Sequence, residues 1–531
     1  MNENFRLNPE RKNIKSMASL WQLSLLLLLP LLFFFLKRKL QAKTRIKNHP
    51  PGPPSLPIIG NFHQLGVLPH QSLCQYSKKY GSVMLVKLGR VPTVIISSSG
   101  AAKELFKTHD LNSCSRPLLT GSGKLSYNYL DIAFTPYGDY WRDMRKLCVL
   151  ELFSAKRVQS FQFIREQEVS LLIDSISKSS SSCPVDLSEK AMTLTANIIC
   201  RAAFGKSFQE RGLGHERFQE VIHEGLATLG SFCAADFFPY VGWIVDRITG
   251  LHARLERNFQ EFDTFYQKII DDHIQKGRED GSQQQEDIID VLLELEKSHR
   301  EEFGAFQFSK DHIKAILMNI FLAGVDTGAI TLVWAMTELI RNPRVMKKAQ
   351  EEIRSCIGDK RKVSEIDIEK LGYLKIVLKE TLRIHPPGVL LIPRETMAQF
   401  SINGYDIYPK TRIQVNVWAM GRDPKIWKNP QEFYPERFLD SSIDYKGMNY
   451  ELLPFGGGRR GCPGITMGMT TVELALANLL FYFDWKLPYN MKIEDINMEE
   501  APGLTIHKKE PLLLVPTIYQ PVSKTDHVIA S

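Results

Sequence analysis

Cysteine is scarce in this chain, and none of it is arranged for zinc or for disulfides. Cys74, Cys114, Cys148, Cys183, Cys200, Cys233, Cys356 and Cys462 form no CxxC pair and share no framework spacing. That argues against a zinc site and a disulfide scaffold, and most of these residues read as reduced, small buried hydrophobes. A fixed-period repeat is also missing, which argues against a solenoid. Over most of the length there is no excess of charge. Ten of the 67 Lys and Arg and two of the 59 Asp and Glu lie in residues 1–48, so the whole net charge of +8 resides there. A nucleic-acid partner therefore has no electrostatic footprint. With 44% hydrophobic and 24% charged residues the chain is neither disordered nor collagen-like. Its 531 residues allow two or three average domains or one large domain with a deep core.

What is present begins with an apolar run. Residues 18–36 (ASLWQLSLLLLLPLLFFFL) hold no charge, and as a helix they would span roughly 28 Å, about one bilayer core. Lys37, Arg38 and Lys39 follow at once, without a small-residue cleavage site, so the run reads as an anchor and not a cleaved signal. Six basic residues follow it and four precede it, which predicts a cytoplasmic location for the remainder. A start at Met17 would remove all the upstream basic residues and strengthen that orientation. The expected organisation is an extension at 1–17, an anchor at 18–36, a basic and proline-rich hinge at 37–57, a catalytic domain at 58–520 and a tail at 521–531.

In the hinge, Pro50, Pro51, Pro53, Pro54 and Pro57 preclude helix and inner strand and make a stiff spacer. Strand-like runs follow at Val83–Leu88 and Thr93–Ser97. From about Gly100 to Glu380 helical periodicity dominates, and the C-terminal third returns to short strands and loops. One helix is expected from an N-cap at Ser309 to Arg341, just before Asn342-Pro343, apolar on most sides and roughly 50 Å long. Its centre, Ala323-Gly324-Val325-Asp326-Thr327-Gly328, contains residues that propensity and burial both disfavour. Taken alone, this pattern fits a glycine kink with a satisfied polar pair as well as it fits a functional site.

The strongest local signal is Pro454-Phe455-Gly456-Gly457-Gly458-Arg459-Arg460-Gly461-Cys462-Pro463-Gly464, a loop too glycine-rich for helix or strand. Read alone, Cys462 could be one more buried thiol. The spacing Gly456-x-Gly458-x-x-Gly461 also matches a dinucleotide fingerprint, but Cys462-Pro463 and a long helical pattern follow where that motif needs other context.

Phe455, Gly458, Arg460, Cys462 and Gly464 resemble the Phe-x-x-Gly-x-Arg-x-Cys-x-Gly signature of the cytochrome P-450 superfamily. The resemblance implies a mainly α fold with a long central helix over a haem b and a small β-rich region. It implies Cys462 as the axial thiolate, a strong donor that favours O–O cleavage. It further implies Phe455 beside the cofactor and propionate contacts from Arg460, from Trp141 and Arg145, and from Arg394. Glu380 and Arg383, at i and i+3, resemble the family's Glu-x-x-Arg pair, which Arg437 would close into a structural triad. On the long helix, Thr327 and Asp326 resemble the hydroxyl and acid of oxygen activation, with Gly324 leaving room for the ligand. Gly328 departs from the commonest pattern, where Thr or Ser is frequent, and puts one hydrogen bond of the proton network in doubt.

By the same resemblance the substrate pocket draws on Ser122–Phe134, Leu226–Phe238, Asn319–Ala323, Gly388–Ile392 and Leu504–Ile506, with Tyr127, Asn128, Tyr129 and Thr505 as polar exceptions. That suggests a lipophilic small molecule. The proline spacer, the Phe134–Trp141 segment and the Gly-Gly-Gly-Arg-Arg loop are most similar to plant family 71. The implied activity is a monooxygenase of specialised metabolism, on the cytosolic face of the endoplasmic reticulum. Its electrons would come from NADPH through NADPH-cytochrome P-450 reductase, with cytochrome b5 as an optional second donor. Two rivals stand beside it: a haem-thiolate aldoxime dehydratase or rearrangement enzyme without net oxygen insertion, and a non-enzymatic haem sensor.

Overall fold

The computed structural model describes residues 48–178, 183–207, 215–279, 286–298, 307–358 and 360–520. The expected extension, the anchor at 18–36, the basic part of the hinge and the tail lie outside the described residues. In chain order, the elements that position the site begin with strands β1 (Val83–Leu88) and β2 (Val91–Ile96) and helices α1 (Asp139–Leu147) and α2 (Leu187–Phe204). They continue with helices α3 (Gly242–Ile248), α4 (Lys310–Arg341) and α5 (Gly372–Ile384), then strands β3 (Arg394–Glu395) and β4 (Arg412–Val415). Helix α6 (Ile465–Tyr482) and the short strands β5 (Glu500–Ala501) and β6 (His507–Lys508) complete the set.

Helix α4 forms where the apolar periodicity predicts it, over 32 residues. Ser309 precedes it in an extended conformation, and the Ser309 amide donates to His312 Nδ1 at 3.1 Å, occupying a main-chain donor that the helix leaves free. It stops at Asn342, because Pro343 cannot continue a helix but serves as the first residue of the next. Being apolar on nearly every side, α4 is buried along most of its length. It and α6 are long and apolar enough to cross a bilayer, yet both lie largely inside the protein core. The two central glycines leave α4 continuous from Lys310 to Arg341.

Two apolar cores meet on this helix. One includes Ile313, Ile316, Phe321 and Val325 together with α2 and α1 residues such as Ile199, Ala203 and Met144. The other includes Ala329, Leu332, Met336 and Leu339 together with α5 and α6 residues such as Val377, Leu382, Leu476 and Leu480. Asp326, Thr327 and Gly328 therefore fall at the seam between them, where aliphatic packing is interrupted.

The largest sheet orders β1-β2-β4-β3. Strands β1 and β2 pair antiparallel with Val83 opposite Ile96, β2 and β4 pair parallel with Ile96 opposite Val415, and β3 pairs antiparallel with Arg394 opposite Ile413. The β-branched run of β2 supplies the buried side of this sheet. The pairing of β3 fixes Arg394 against the Cys462 loop. At the C-terminal end, β5 and β6 pair with His507 opposite Ala501.

Candidate active site

Cys462 stands at the head of α6. The loop before it turns at Gly456 and Gly458, both with positive φ, and the Cys462 amide donates to Phe455 O at 3.0 Å. Gly464 is the N-cap of α6. Burial pushes the Cys462 thiol up, and the Gly464 amide and the Arg145 guanidinium pull against it. An amide donor, a cation and the positive end of an 18-residue helix are the environment that stabilises a thiolate. Although protein surrounds the residue, its thiol keeps accessible surface because it faces an internal cavity of about 380 Å³.

The charge on that cavity wall has one sign. Arg116, Arg145, Arg394 and Arg460 line it, and among the described residues no Asp or Glu does. Each guanidinium is held by the protein. Arg116 donates to Ala133 O at 2.9 Å and to Ile392 O at 2.6 Å. Arg145 donates to Gly461 O. Arg394 donates to Asp110 Oδ1 at 2.7 Å and to Gly457 O at 2.9 Å. Arg460 donates to Cys114 O and to Thr135 O, each at 2.7 Å. Burial lowers Arg460 to about 9, with Arg394 and Arg145 adding to the effect, and burial beside Arg460 and Arg394 also lowers Arg116. Cations crowded together in a dry site favour an anionic ligand.

Trp141 departs from expectation. It is not on the cavity wall: its indole donates to Ile132 O at 2.9 Å and its ring faces the Arg460 guanidinium at 4.0 Å. Trp141 thus braces Arg460, a cation–π contact in a buried setting. Arg145, one turn along α1, does reach the wall. Phe455 also lines the cavity and packs on Tyr445 with ring centroids 5.6 Å apart.

From α4, Ala323, Gly324, Thr327 and Gly328 face the cavity. The Thr327 hydroxyl donates to Ala323 O at 2.8 Å. Gly324 lines the cavity and also makes room for a neighbouring helix, since a Cβ there would lie 2.7 Å from Ile199 Cδ1 on α2. Asp326 is completely buried and off the cavity wall, its carboxylate held by Thr505, which does line the wall, and by His507. Gly328 has a packing reason as well: a Cβ there would lie 3.1 Å from Thr195 Cγ2. The pair at i and i+4 lets α4 and α2 approach closely.

All five expected pocket segments contribute lining residues, among them Phe134, Leu226, Ile320, Leu391 and Leu504. Of the polar exceptions only Thr505 reaches the wall. Tyr127 and Tyr129 donate to Asp263 at 2.9 Å and to Leu119 O at 2.9 Å. Residues 127–129 all have positive φ. The segment after it is tied to α4: Asn319 Nδ2 donates to Asp131 Oδ2 at 2.9 Å, and Asn319 Oδ1 accepts from the Ala133 amide at 3.2 Å.

Away from the cavity, Glu380 accepts two hydrogen bonds from Arg383, at 2.7 and 2.8 Å, and one from Arg437 at 2.9 Å. Glu380 and Arg383 are fully buried. Arg383 spends its remaining donors on Gly421 O, Pro430 O and Glu432 O, so the polar cluster is satisfied. Three site residues gave no separable signal in the sequence. Arg116 and Asp110 sit in unremarkable contexts, and His507 lies 181 positions from its partner Asp326.

One thiol and four guanidiniums, on an otherwise mostly apolar wall without carboxylates, suit a flat apolar group that carries two anionic arms and a metal centre. That defines a haem-thiolate protein. The chain belongs to the cytochrome P450 family, whose model, described as "Cytochrome P450", matches residues 50–515. It is 58% identical to Cytochrome P450 71B10 of Arabidopsis thaliana over 504 residues, covering 94% of this chain and 99% of that one. Cytochrome P450 71B34 of the same plant is 56% identical over 502 residues, covering 94% and 99%. The family is therefore family 71, and the protein is a P450 monooxygenase whose cofactor is haem b with an axial thiolate. A solved zebrafish cytochrome P450, described as a structure with abiraterone, superposes with a TM-score of 0.70 at 25% identity and covers 85% of this chain and 100% of its own.

Proposed function

We propose that this monooxygenase inserts oxygen into a lipophilic small molecule of plant specialised metabolism, taking electrons from NADPH through a flavoprotein P450 reductase. The observation that carries the substrate class is the cavity: beyond its arginines, the wall is made of Phe134, Leu226, Leu229, Ile320, Leu391 and similar side chains. A haem held there would supply the redox chemistry of dioxygen activation.

The chain's own residues do the rest. Cys462 would hold the haem iron through its sulfur, with the Gly464 amide and the Arg145 guanidinium favouring the thiolate against the opposing effect of burial. Arg116, Arg145, Arg394 and Arg460 would hold the propionates and Phe455 would pack beside the haem, while Gly458 and Gly464 shape the loop. The apolar wall excludes bulk water, so protons must arrive through hydroxyls and carboxyls. Thr327 presents its hydroxyl oxygen to the cavity, and Asp326 is the acid that relays protons. Glu380, Arg383 and Arg437 are structural.

The protein is held at the endoplasmic reticulum membrane by residues 18–36, with the catalytic domain cytosolic. Tyr240, Val241, Trp243 and Ile248, on and beside α3, support contact with lipid, because all four are exposed within one short stretch of chain. The test is a screen of lipophilic compounds by haem spectral shift, followed by turnover with reductase, NADPH and isotope-labelled dioxygen. One labelled oxygen atom in the product is expected. Turnover without label would replace this reading with a dehydratase or rearrangement activity.

A further inference from the structure

Asp326 reaches neither the cavity nor the surface by itself. Its two carboxylate oxygens are divided between two residues of one C-terminal segment. Thr505 Oγ1 donates to Asp326 Oδ2 at 2.5 Å, and His507 Nε2 lies 3.0 Å from Asp326 Oδ1. The second contact is close enough for an ion pair but off the line of a hydrogen bond, so Oδ1 has no aligned donor although it is wholly buried. The two partners face different compartments. Thr505 is on the cavity wall, while the His507 side chain is 30% exposed. The segment between them is pinned: the Ile506 amide donates to Pro387 O at 3.0 Å, and Trp334 Nε1 donates to Ile506 O at 3.4 Å.

We propose that His507, Asp326 and Thr505 form a proton relay from outside the protein to the cavity, with His507 as the entry and Thr505 as the exit. It rests on the reading of Asp326 as the relay acid. Each turnover takes up two protons, two electrons from NADPH and one dioxygen; the O–O bond and one substrate C–H bond break, and one C–O bond, one alcohol O–H bond and one water form. For each proton, the His507 imidazolium gives its Nε2 hydrogen to Asp326 Oδ1. Rotation of the carboxyl then presents that hydrogen to Thr505 Oγ1, whose own hydroxyl proton passes into the cavity. Water returns a proton to His507. His507 is a positioning and relay group that acts through Asp326.

The surroundings leave His507 to Asp326. On its own strand, Lys508 donates to Glu510 O; on the paired strand, Glu500 is engaged by His70, Gln71 and Trp418. From α4, Asp326 faces it. Burial opposes a charge on His507, but the Asp326 carboxylate outweighs it and raises the imidazole above its ordinary value of 6.5. Below that raised value the donor is loaded, and above it the donor is lost.

The test uses the full chain with haem, reductase and NADPH, and reads the share of NADPH electrons released as hydrogen peroxide at a series of pH values. The wild type should lose more electrons to peroxide as pH rises through the His507 titration. His507→Gln and Thr505→Val should raise the peroxide share severalfold and flatten that pH dependence, while Thr505→Ser keeps the wild-type profile. Independently of turnover, hydrogen–deuterium exchange at the histidine C2 position, read by mass spectrometry, should place the His507 midpoint above 6.5, and Asp326→Asn should bring it down. If His507→Gln fails to take up haem, His507→Asn and the exchange measurement decide. Peroxide that rises in Asp326→Asn but not in the His507 and Thr505 variants overturns the relay and leaves the acid standing. No rise in Asp326→Asn overturns the acid itself. A His507 midpoint at or below 6.5 also overturns the relay.

Discussion

The Asp110 carboxylate fills the space into which any side chain on Gly458 would project. Asp110 Oδ2 accepts from the Arg459 amide at 3.0 Å while Oδ1 accepts from Arg394 at 2.7 Å, so one buried acid joins the Cys462 loop to a cavity arginine.

Gly458→Ala should therefore damage haem binding. The position has φ +63°, which costs an alanine about 1 kcal/mol, and the Cβ must also displace Asp110. Haem content per chain and the thiolate-specific carbon monoxide band should both fall sharply. Normal values for both would refute the role given to this contact.

Cys462→Ser should abolish the same carbon monoxide band whether or not haem is retained, because an alcohol does not reproduce thiolate donation. A variant that keeps the band would end the ligand assignment.

The Gly324–Ile199 contact yields a paired prediction. Gly324→Ala forces Ile199 to move and should cost about 1–3 kcal/mol. Combining it with Ile199→Val should recover much of that loss, since neighbours in contact are not additive. Chemical denaturation of the two single variants and the double variant reads the coupling. Simple additivity would mean that Gly324 makes room for something else.

Glu380→Gln leaves Arg383 without its buried counter-charge. Breaking a buried pair from one side costs about 3–5 kcal/mol. The unfolding midpoint should drop accordingly, with the carbon monoxide spectrum of the surviving folded fraction unchanged. A loss below about 1 kcal/mol, the worth of a surface pair, would contradict the burial seen here.

Glu500 should govern part of the acid sensitivity. Burial would raise its pKa, but hydrogen bonds from His70, Gln71 and Trp418 hold it at about 2 against an ordinary 4.5. Because the folded value is depressed, its stabilisation is present above pH 4.5 and is lost as pH falls from there towards 2. Glu500→Gln should reduce thermal stability at neutral pH, and its difference from the wild type should shrink as the solution is acidified. A difference that stays constant with pH would remove Glu500 from the acid response.

The thiol, its loop and the long helix were legible in the sequence because each depends on residues close together in the chain. Ser309 and Pro343 delimit α4 by local hydrogen bonding and sterics, and the glycines around Cys462 announce a loop whatever surrounds it. The Glu380–Arg383 pair was visible for the same reason, since i and i+3 share a helix face. Other features were not legible. Arg116 meets the cavity only because β3 and the segment around Ala133 converge on it. Gly324 looked like space for a ligand, and only the close crossing of α2 reveals that Ile199 also needs that space.

What the sequence by itself determined was the cofactor and the chemistry, because thiolate ligation and the loop that shelters it need only eleven consecutive residues. Tertiary structure alone decided which charged groups face the cavity and which face away from it. It turned Trp141 behind Arg460 and put Asp326 in the hands of Thr505 and His507. Those outcomes follow from how distant segments pack, where burial makes every polar atom find a partner, and no local pattern names that partner.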